Sequence, residues 1–110
     1  MRHYMLKKED EKKGIENNIM EDAWVTSNKQ ILPQYWQMEF IAPKIAAQAF
    51  PGQFIMIKAG TGYDPFLRRP MGLNLIDKQK GVLGIIYQVI GRGTELFTHL
   101  NPGAGISVTG

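Results

Sequence analysis

Hydrophobic and polar residues alternate along most of the chain after residue 21. In the segment 35–41, Trp36, Met38 and Phe40 occupy alternate positions, with polar residues between them. This period is typical of a β-strand that buries one face. The same argument predicts strands over residues 23–28, 53–58, 69–75 and 105–109.

The stretch from Val82 to Ile90 is almost continuously apolar, which predicts a further strand buried on both faces. A short helix is predicted over residues 94–100, because Leu96, Phe97 and Leu100 would share one side of it. Residues 46–49 are expected to form one helical turn. Short strands separated by turns, with a single late helix, favour an all-β fold built as a small antiparallel barrel.

The composition of the chain changes near residue 21, after a mixed run of charges at positions 7–13. We therefore predict a charged N-terminal arm over residues 1–20 and one barrel domain over residues 21–110. The chain has no cysteine, which excludes disulfides and Cys-ligated clusters within it. No apolar run approaches the ~20 residues that span a bilayer, and the N-terminus lacks an apolar signal region, so we expect a cytoplasmic protein.

Two segments carry candidate binding chemistry. Arg68 and Arg69 begin a predicted strand, and Gly91–Phe97 is a glycine turn that opens into the predicted helix. Arginine offers a rigid fork of donors for phosphate, and a helix start offers free N–H groups. Together they describe a pyrophosphate clamp, which points to a dinucleotide cofactor. We assign no catalytic residue and expect no metal site, since neither His3 nor His99 has a partner at a ligand spacing.

Four segments extend this pattern in a fixed order along the chain. They are Pro51–Phe54, Asp64–Pro70, Ile86–Val89 and Gly91–Thr94. As an ordered set they resemble the FAD-binding domain of the ferredoxin–NADP reductase superfamily, and most closely that of the electron-transfer subunits of type B dihydroorotate dehydrogenases. The resemblance covers residues 24–110. It implies a six-stranded antiparallel Greek-key barrel with one short helix, and FAD lying across one edge.

The resemblance also implies roles for individual residues. Arg69 matches the family's arginine that contacts the cofactor pyrophosphate. Gly93 and Thr94 match a Gly-Thr pair whose backbone amides and hydroxyl cap the phosphates. The segments that border the isoalloxazine ring in the family match Pro70, Met71, Gly72, Ile86, Tyr87 and Gln88. A flat, mostly apolar ring suits aliphatic and aromatic walls such as Met71 and Tyr87.

By the same resemblance, the chain is part of a flavin-dependent oxidoreductase. Electrons would pass from NADH to FAD and through an iron–sulfur cluster to a catalytic, FMN-containing dihydroorotate dehydrogenase subunit of pyrimidine biosynthesis, within a hetero-oligomer. The nucleotide-binding domain and Cys-rich cluster segment of the relatives have no counterpart before the last residue, Gly110. We expect a truncated form of a longer subunit.

Two positions depart from the family pattern. Gly72 stands where the family usually has Ser or Thr, whose hydroxyl approaches the reactive edge of the flavin. Gln88 stands where the nearest relatives often carry Arg, which removes one possible cationic contact. Both departures concern the cofactor rather than the fold.

Three other functions remain open on the sequence alone. The first is the related flavin subunit of an NADH-dependent ferredoxin or sulfide oxidoreductase. The second is a cofactor-free barrel that docks to a catalytic partner. The third is a nucleic-acid-binding barrel, suggested by a net charge of +3 and a pI near 9.3. Acids and amides, rather than basic residues, alternate with the aromatic side chains around Trp36, which counts against the third.

Overall fold

Short strands and two single helices follow one another in the computed structural model, which describes residues 18–59 and 68–110. In chain order they are β1 (Met20–Leu32), β2 (Tyr35–Ile41), α1 (Pro43–Gln48), β3 (Phe54–Ala59), β4 (Arg69–Asp77), β5 (Val82–Gln88), α2 (Arg92–Phe97) and β6 (Gly105–Thr109). Residues 1–17 of the charged arm predicted for residues 1–20 lie outside the described residues. The motif residues 64–67 also lie outside them.

The six strands pair in the order β1-β2-β5-β4-β3-β6 and close into a barrel, with every pair antiparallel. Strands β3, β4 and β5 are neighbours in the barrel in the same order as in the chain, and β6 returns to lie beside β3. That return is the Greek-key connection. The predicted six-stranded antiparallel Greek-key barrel is therefore confirmed, with two short helices in place of one.

The barrel interior is filled by the alternate residues of each strand. Met38 and Phe40 are fully buried, and Trp36 packs partly buried against the same core, as the alternation along β2 predicts. Strand β5 departs from its prediction, because Ile86 is 43% exposed. In a closed barrel only one face of a strand points inward, so even an apolar strand presents its other face outward.

Helix α1 covers one end of the barrel and is joined to it through Glu21. Pro43 begins the helix, a position that suits its fixed φ and missing N–H. The buried Glu21 carboxylate accepts hydrogen bonds from the backbone N–H groups of Lys44 (3.1 Å) and Ile45 (3.0 Å). Strand β1 thus supplies the cap that the helix start itself lacks.

Strands β4 and β5 diverge at one end of the barrel. They pair from Asp77↔Val82 to Leu73↔Ile85, with a register shift between Leu73 and Leu75. Beyond that point, among the described residues, β4 pairs with β3 alone and residues 86–88 of β5 pair with β2 alone. The separation leaves an opening in the wall between two short strand segments.

Candidate functional site

The opening between β4 and β5 is a cleft of about 350 Å³. Its lining comes from the diverging strands and from the turn that leads into α2: Arg69, Pro70, Met71, Gly72, Ile86, Tyr87, Gln88, Ile90 and Thr94. Apart from Ile90, these are residues that the sequence assigned to one binding site. The ninth such residue, Gly93, lies directly against Arg69. The structure therefore brings together every residue of the predicted site.

The Arg69 side chain rests on the backbone of Gly93. A Cβ atom built on Gly93 would lie 2.5 Å from Arg69 Nη2 and 2.6 Å from its Nε, so a side chain there would displace the guanidinium. Within the described part of the chain, the Arg69 guanidinium has no hydrogen-bond or ion-pair partner. A half-buried guanidinium without such a partner is suited to bind an anion.

Thr94 holds the turn that precedes α2. Its Oγ1 donates to the carbonyl oxygen of Gly91 (3.1 Å) and accepts from the N–H groups of Ile90 (3.1 Å) and Gly91 (3.3 Å). The one hydrogen of the Thr94 hydroxyl is therefore already donated within the turn. A phosphate contact from Thr94 would come from its backbone N–H, because the first N–H groups of a helix have no intrahelical partner.

Tyr87 borders the cleft from inside the core, since only 3% of it is exposed. Its Oη donates to Asn28 Oδ1 (2.8 Å), and its ring meets the Phe97 ring edge to face at 5.8 Å between centroids. Burial raises the pKa of Tyr87 to about 12, while the hydrogen bond with Asn28 acts in the opposite direction. Tyr87 is therefore a neutral, anchored wall of the cleft at physiological pH.

Apolar side chains line the rest of the cleft and its rim. Met71 is almost buried, whereas Ile86 and Ile90 are 43% and 77% exposed. Phe54 lies beside Gly72, since its Cε1 would be 3.8 Å from a Cβ built there. Exposed aliphatic side chains next to a strand opening offer the kind of surface that a flat apolar ring requires.

Arg68 points away from the cleft, although it is adjacent to Arg69. Its guanidinium donates to Ser107 Oγ (3.1 Å) and Thr109 Oγ1 (3.1 Å) of β6. It lines a larger cavity of about 630 Å³, which also includes Trp24 of β1. Strand order places β6 across the barrel from β5, and that cavity holds none of the predicted site residues. We regard the smaller cleft as the candidate site because Arg69, whose guanidinium has no partner among the described residues, meets the start of α2 there.

Sequence reasoning missed three residues at this site. Ile90 lines the cleft, Phe54 flanks it, and Asn28 anchors its inner wall. Ile90 carries a weak signal, since it is an apolar residue just before a glycine turn. Phe54 ends one of the segments that carry the family resemblance but was assigned no role, and Asn28 carries no signal, because its role depends on contacts with residues far away in the chain.

Residues 18–59 and 68–110 contain no group of three or more His, Cys, Asp or Glu side chains that could hold a metal ion. None of the helices described there has the length and apolar character needed to cross a membrane.

The residues present fit a dinucleotide with a flat ring system. Arg69 and the start of α2 supply positive charge and N–H donors on one side of the cleft, as a pyrophosphate requires. Met71, Ile86 and Ile90 supply apolar surface beside them. Where β4 and β5 diverge, their facing backbone groups have no strand partner among the described residues, and such groups can bond the polar edge of a ring.

Comparison with known proteins supports the same assignment. The chain is 39% identical over 89 residues to the dihydroorotate dehydrogenase B (NAD(+)) electron transfer subunit of Desulforamulus reducens, over 81% of this chain and 34% of that protein. It is 33% identical to the subunit of the same name from Fusobacterium nucleatum, over 83% of this chain and 35% of that protein. The chain belongs to this family of electron transfer subunits. It spans about a third of the length of these curated relatives.

Solved structures agree on the fold. The barrel superposes on an NADH-dependent reduced ferredoxin-NADP oxidoreductase with a TM-score of 0.71 at 20% identity, over 79% of this chain and 31% of that one. For the ferredoxin reductase of carbazole 1,9a-dioxygenase the TM-score is 0.68 at 22% identity, over 84% of this chain and 28% of that one. No family model matches the chain. These ferredoxin reductases therefore share the barrel fold, and the curated relatives confirm the family predicted from sequence.

Proposed function

We propose that this chain binds FAD in the cleft between β4 and β5 and forms the flavin-bearing part of an electron-transfer subunit. The observation that carries the proposal is the contact between Arg69 and Gly93, which joins a guanidinium without a partner among the described residues to the start of α2. The identity of 39% to a dihydroorotate dehydrogenase B electron transfer subunit supports the same function.

Each part of the cleft has a separate task in this proposal. Arg69 and the N–H groups of Gly93 and Thr94 hold the pyrophosphate. Met71, Ile86, Gln88 and the buried face of Tyr87 border the ring and exclude water, while Pro70 and Gly72 bring backbone close to it. When bound, FAD supplies the redox chemistry, and the protein supplies orientation and a controlled electrostatic environment.

The proposed setting combines the names of the relatives, which are dihydroorotate dehydrogenase B electron transfer subunits, with what the family resemblance implies. Electrons from NADH would pass to FAD, and then through an iron–sulfur cluster whose cysteine ligands this chain does not contain, to a catalytic FMN-containing dihydroorotate dehydrogenase subunit in the cytoplasm. The barrel would be one part of that flavin-dependent oxidoreductase. The ferredoxin or sulfide oxidoreductase alternative is less well supported, since the ferredoxin reductases reach only about 20% identity.

The test is an FAD titration of the purified chain, followed by quenching of flavin fluorescence. We expect saturable binding, and a melting temperature that rises with FAD concentration, because a ligand that binds only the native state stabilises it. Arg69→Ala should weaken FAD binding about tenfold to a hundredfold, corresponding to the loss of a charge-assisted hydrogen bond of ~1.5–3 kcal/mol.

The matched control is Arg68→Ala. That variant removes the same charge from the neighbouring position, but its guanidinium bonds to Ser107 and Thr109 across the barrel. It should therefore leave FAD affinity unchanged while lowering thermal stability. Equal losses of affinity in both variants would reject the clamp and reduce the effect to net charge.

A further inference from the structure

The side chain of Asn28 joins three elements behind the cleft. Its Nδ2 donates to the carbonyl oxygens of Phe97 (2.7 Å) and Leu100 (3.0 Å), and its Oδ1 accepts from Tyr87 Oη (2.8 Å). Both N–H donors of the amide and its carbonyl oxygen are thus in use. Through this one residue, β1 holds the end of α2 and the cleft-bordering part of β5.

The position of α2 depends on such anchors. The helix spans only Arg92–Phe97, and a helix this short is not stable without tertiary contacts. Its anchors lie at its C-terminal end, where the Phe97 ring is 1% exposed and packs against Tyr87, and where Asn28 binds two carbonyl oxygens. The Phe97 carbonyl also accepts the Leu100 N–H (3.1 Å), and the Leu100 carbonyl lies three residues past the helix, so Asn28 ties down both the helix end and the turn that follows it.

The other end of the same helix lies at the cleft. Gly93 and Thr94 form its first turn, less than two turns from Phe97, and Gly93 lies under the Arg69 guanidinium. A short helix fixed at one end transmits a displacement to the other. We propose that Asn28 is a positioning residue for the cofactor site, which sets where the Gly93–Thr94 backbone meets Arg69. This inference rests on the proposed function of the cleft.

The test uses Asn28→Asp, which keeps an oxygen for Tyr87 but sets a carboxylate oxygen against two carbonyl oxygens. Its control is Asn74→Asp, which makes the same charge change at an exposed asparagine that has no hydrogen bond to the described residues. FAD affinity is measured by fluorescence titration at a temperature where circular dichroism shows all the proteins folded. We expect about a tenfold loss for Asn28→Asp, the size of one or two lost hydrogen bonds, and no change for Asn74→Asp.

A second readout does not depend on flavin. In ¹⁵N–¹H spectra of the FAD-free protein, the amide signals of Gly93 and Thr94 should move in Asn28→Asp and stay in place in Asn74→Asp. A role confined to overall stability would leave those signals unchanged at a temperature where the protein is folded. Tyr87→Phe, which removes only the bond that orients the Asn28 amide, should weaken FAD binding by about twofold to fivefold.

The outcomes separate the two proposals. If the wild-type chain binds no FAD, the proposed function fails and the role of Asn28 at a cofactor site fails with it. If the wild type binds FAD and Asn28→Asp binds it equally well with unmoved Gly93 and Thr94 signals, only the positioning role is overturned. Should Asn28→Asp not fold, Tyr87→Phe decides, and unchanged FAD affinity in that variant overturns the inference.

Discussion

At the residue scale, Arg68 and Arg69 show how much a single position along a strand decides. Successive strand residues point to opposite faces, so identical side chains enter different surroundings. Arg69 reaches Gly93 at the cleft, whereas Arg68 bonds to two hydroxyl groups of β6. The paired arginines therefore divide into one binding candidate and one structural cross-link.

Gly72 is one of the two cleft residues that, by the family resemblance, depart from the usual pattern, and the structure leaves room for a hydroxyl there. A Cβ there would make only an ordinary contact with Phe54, and the backbone is not left-handed. We expect Gly72→Ser to change the free energy of unfolding by less than about 0.5 kcal/mol. In the FAD-loaded protein, a hydroxyl donor should stabilise the reduced flavin and raise its two-electron potential by about 10–30 mV.

Spectroelectrochemical titration measures that shift, and Gly72→Ala is the matched control. It adds the same Cβ without a hydroxyl, so its potential should remain that of the wild type. A potential that moves equally in both variants would assign the effect to lost space rather than to hydrogen bonding.

At the element scale, α1 depends on a cap supplied by a different strand. The Glu21 carboxylate is the acceptor for two N–H groups at the helix start, and it is buried. Glu21→Gln leaves one oxygen and turns an NH₂ group toward those donors, so we expect a loss of about 1–3 kcal/mol in the free energy of unfolding. Urea denaturation measures it. The neighbouring Asp22→Asn, at an exposed position, should stay within about 0.5 kcal/mol of the wild type.

The predicted boundaries of an element agree with the structure where local sequence signals mark both of its ends. Strands β2 and β6 have the predicted bounds, since alternation and turn residues enclose both. Strand β1 is longer than predicted at both ends, because β6 pairs with its start and β2 with its end. Strand β5 ends at Gln88 rather than Ile90, because the Val89 N–H bonds to Gln34 in the β1–β2 turn. These differences between predicted and observed strand ends depend on pairing with residues distant in sequence, so a local sequence pattern cannot predict them.

The residues around the cleft also divide into those that sequence signals identify and those that depend on contacts distant in sequence. Arg69, Gly93 and Thr94 all lie in segments that carry the family resemblance, because a phosphate clamp needs recognisable residue types in a set order. Asn28 was not predictable in this way. Its partners Phe97 and Tyr87 lie 69 and 59 positions away, and an asparagine in a strand has no pattern that identifies them.

At the scale of the whole molecule, the buried phenol of Tyr87 links stability to pH. Its pKa is about 12 in the folded chain against 10.0 for a free tyrosine, so the folded state holds the proton more tightly. This contribution is fully present below pH 10 and is lost as the pH rises toward 12, because the unfolded chain ionises first. We expect the free energy of unfolding of the wild type to fall more steeply between pH 9 and 11 than that of Tyr87→Phe.

Urea unfolding at a series of pH values measures both slopes. The lysines and the other tyrosines are common to the two proteins, so the difference between the slopes isolates the Tyr87 hydroxyl. Parallel slopes would show that the Tyr87 hydroxyl ionises as readily in the folded chain as in the unfolded one.

The divergence of β4 and β5 also bears on how the protein behaves in concentrated solution. A barrel normally removes the free strand edges through which proteins aggregate, but this one keeps two short edges at residues 69–72 and 86–88. Pro70 lacks an N–H, and the charge of Arg69 beside it resists burial against another strand. Pro70 and Arg69 thus also disfavour pairing between this edge of β4 and a strand of a neighbouring molecule. A ligand bound in the opening would cover the remaining unpaired groups.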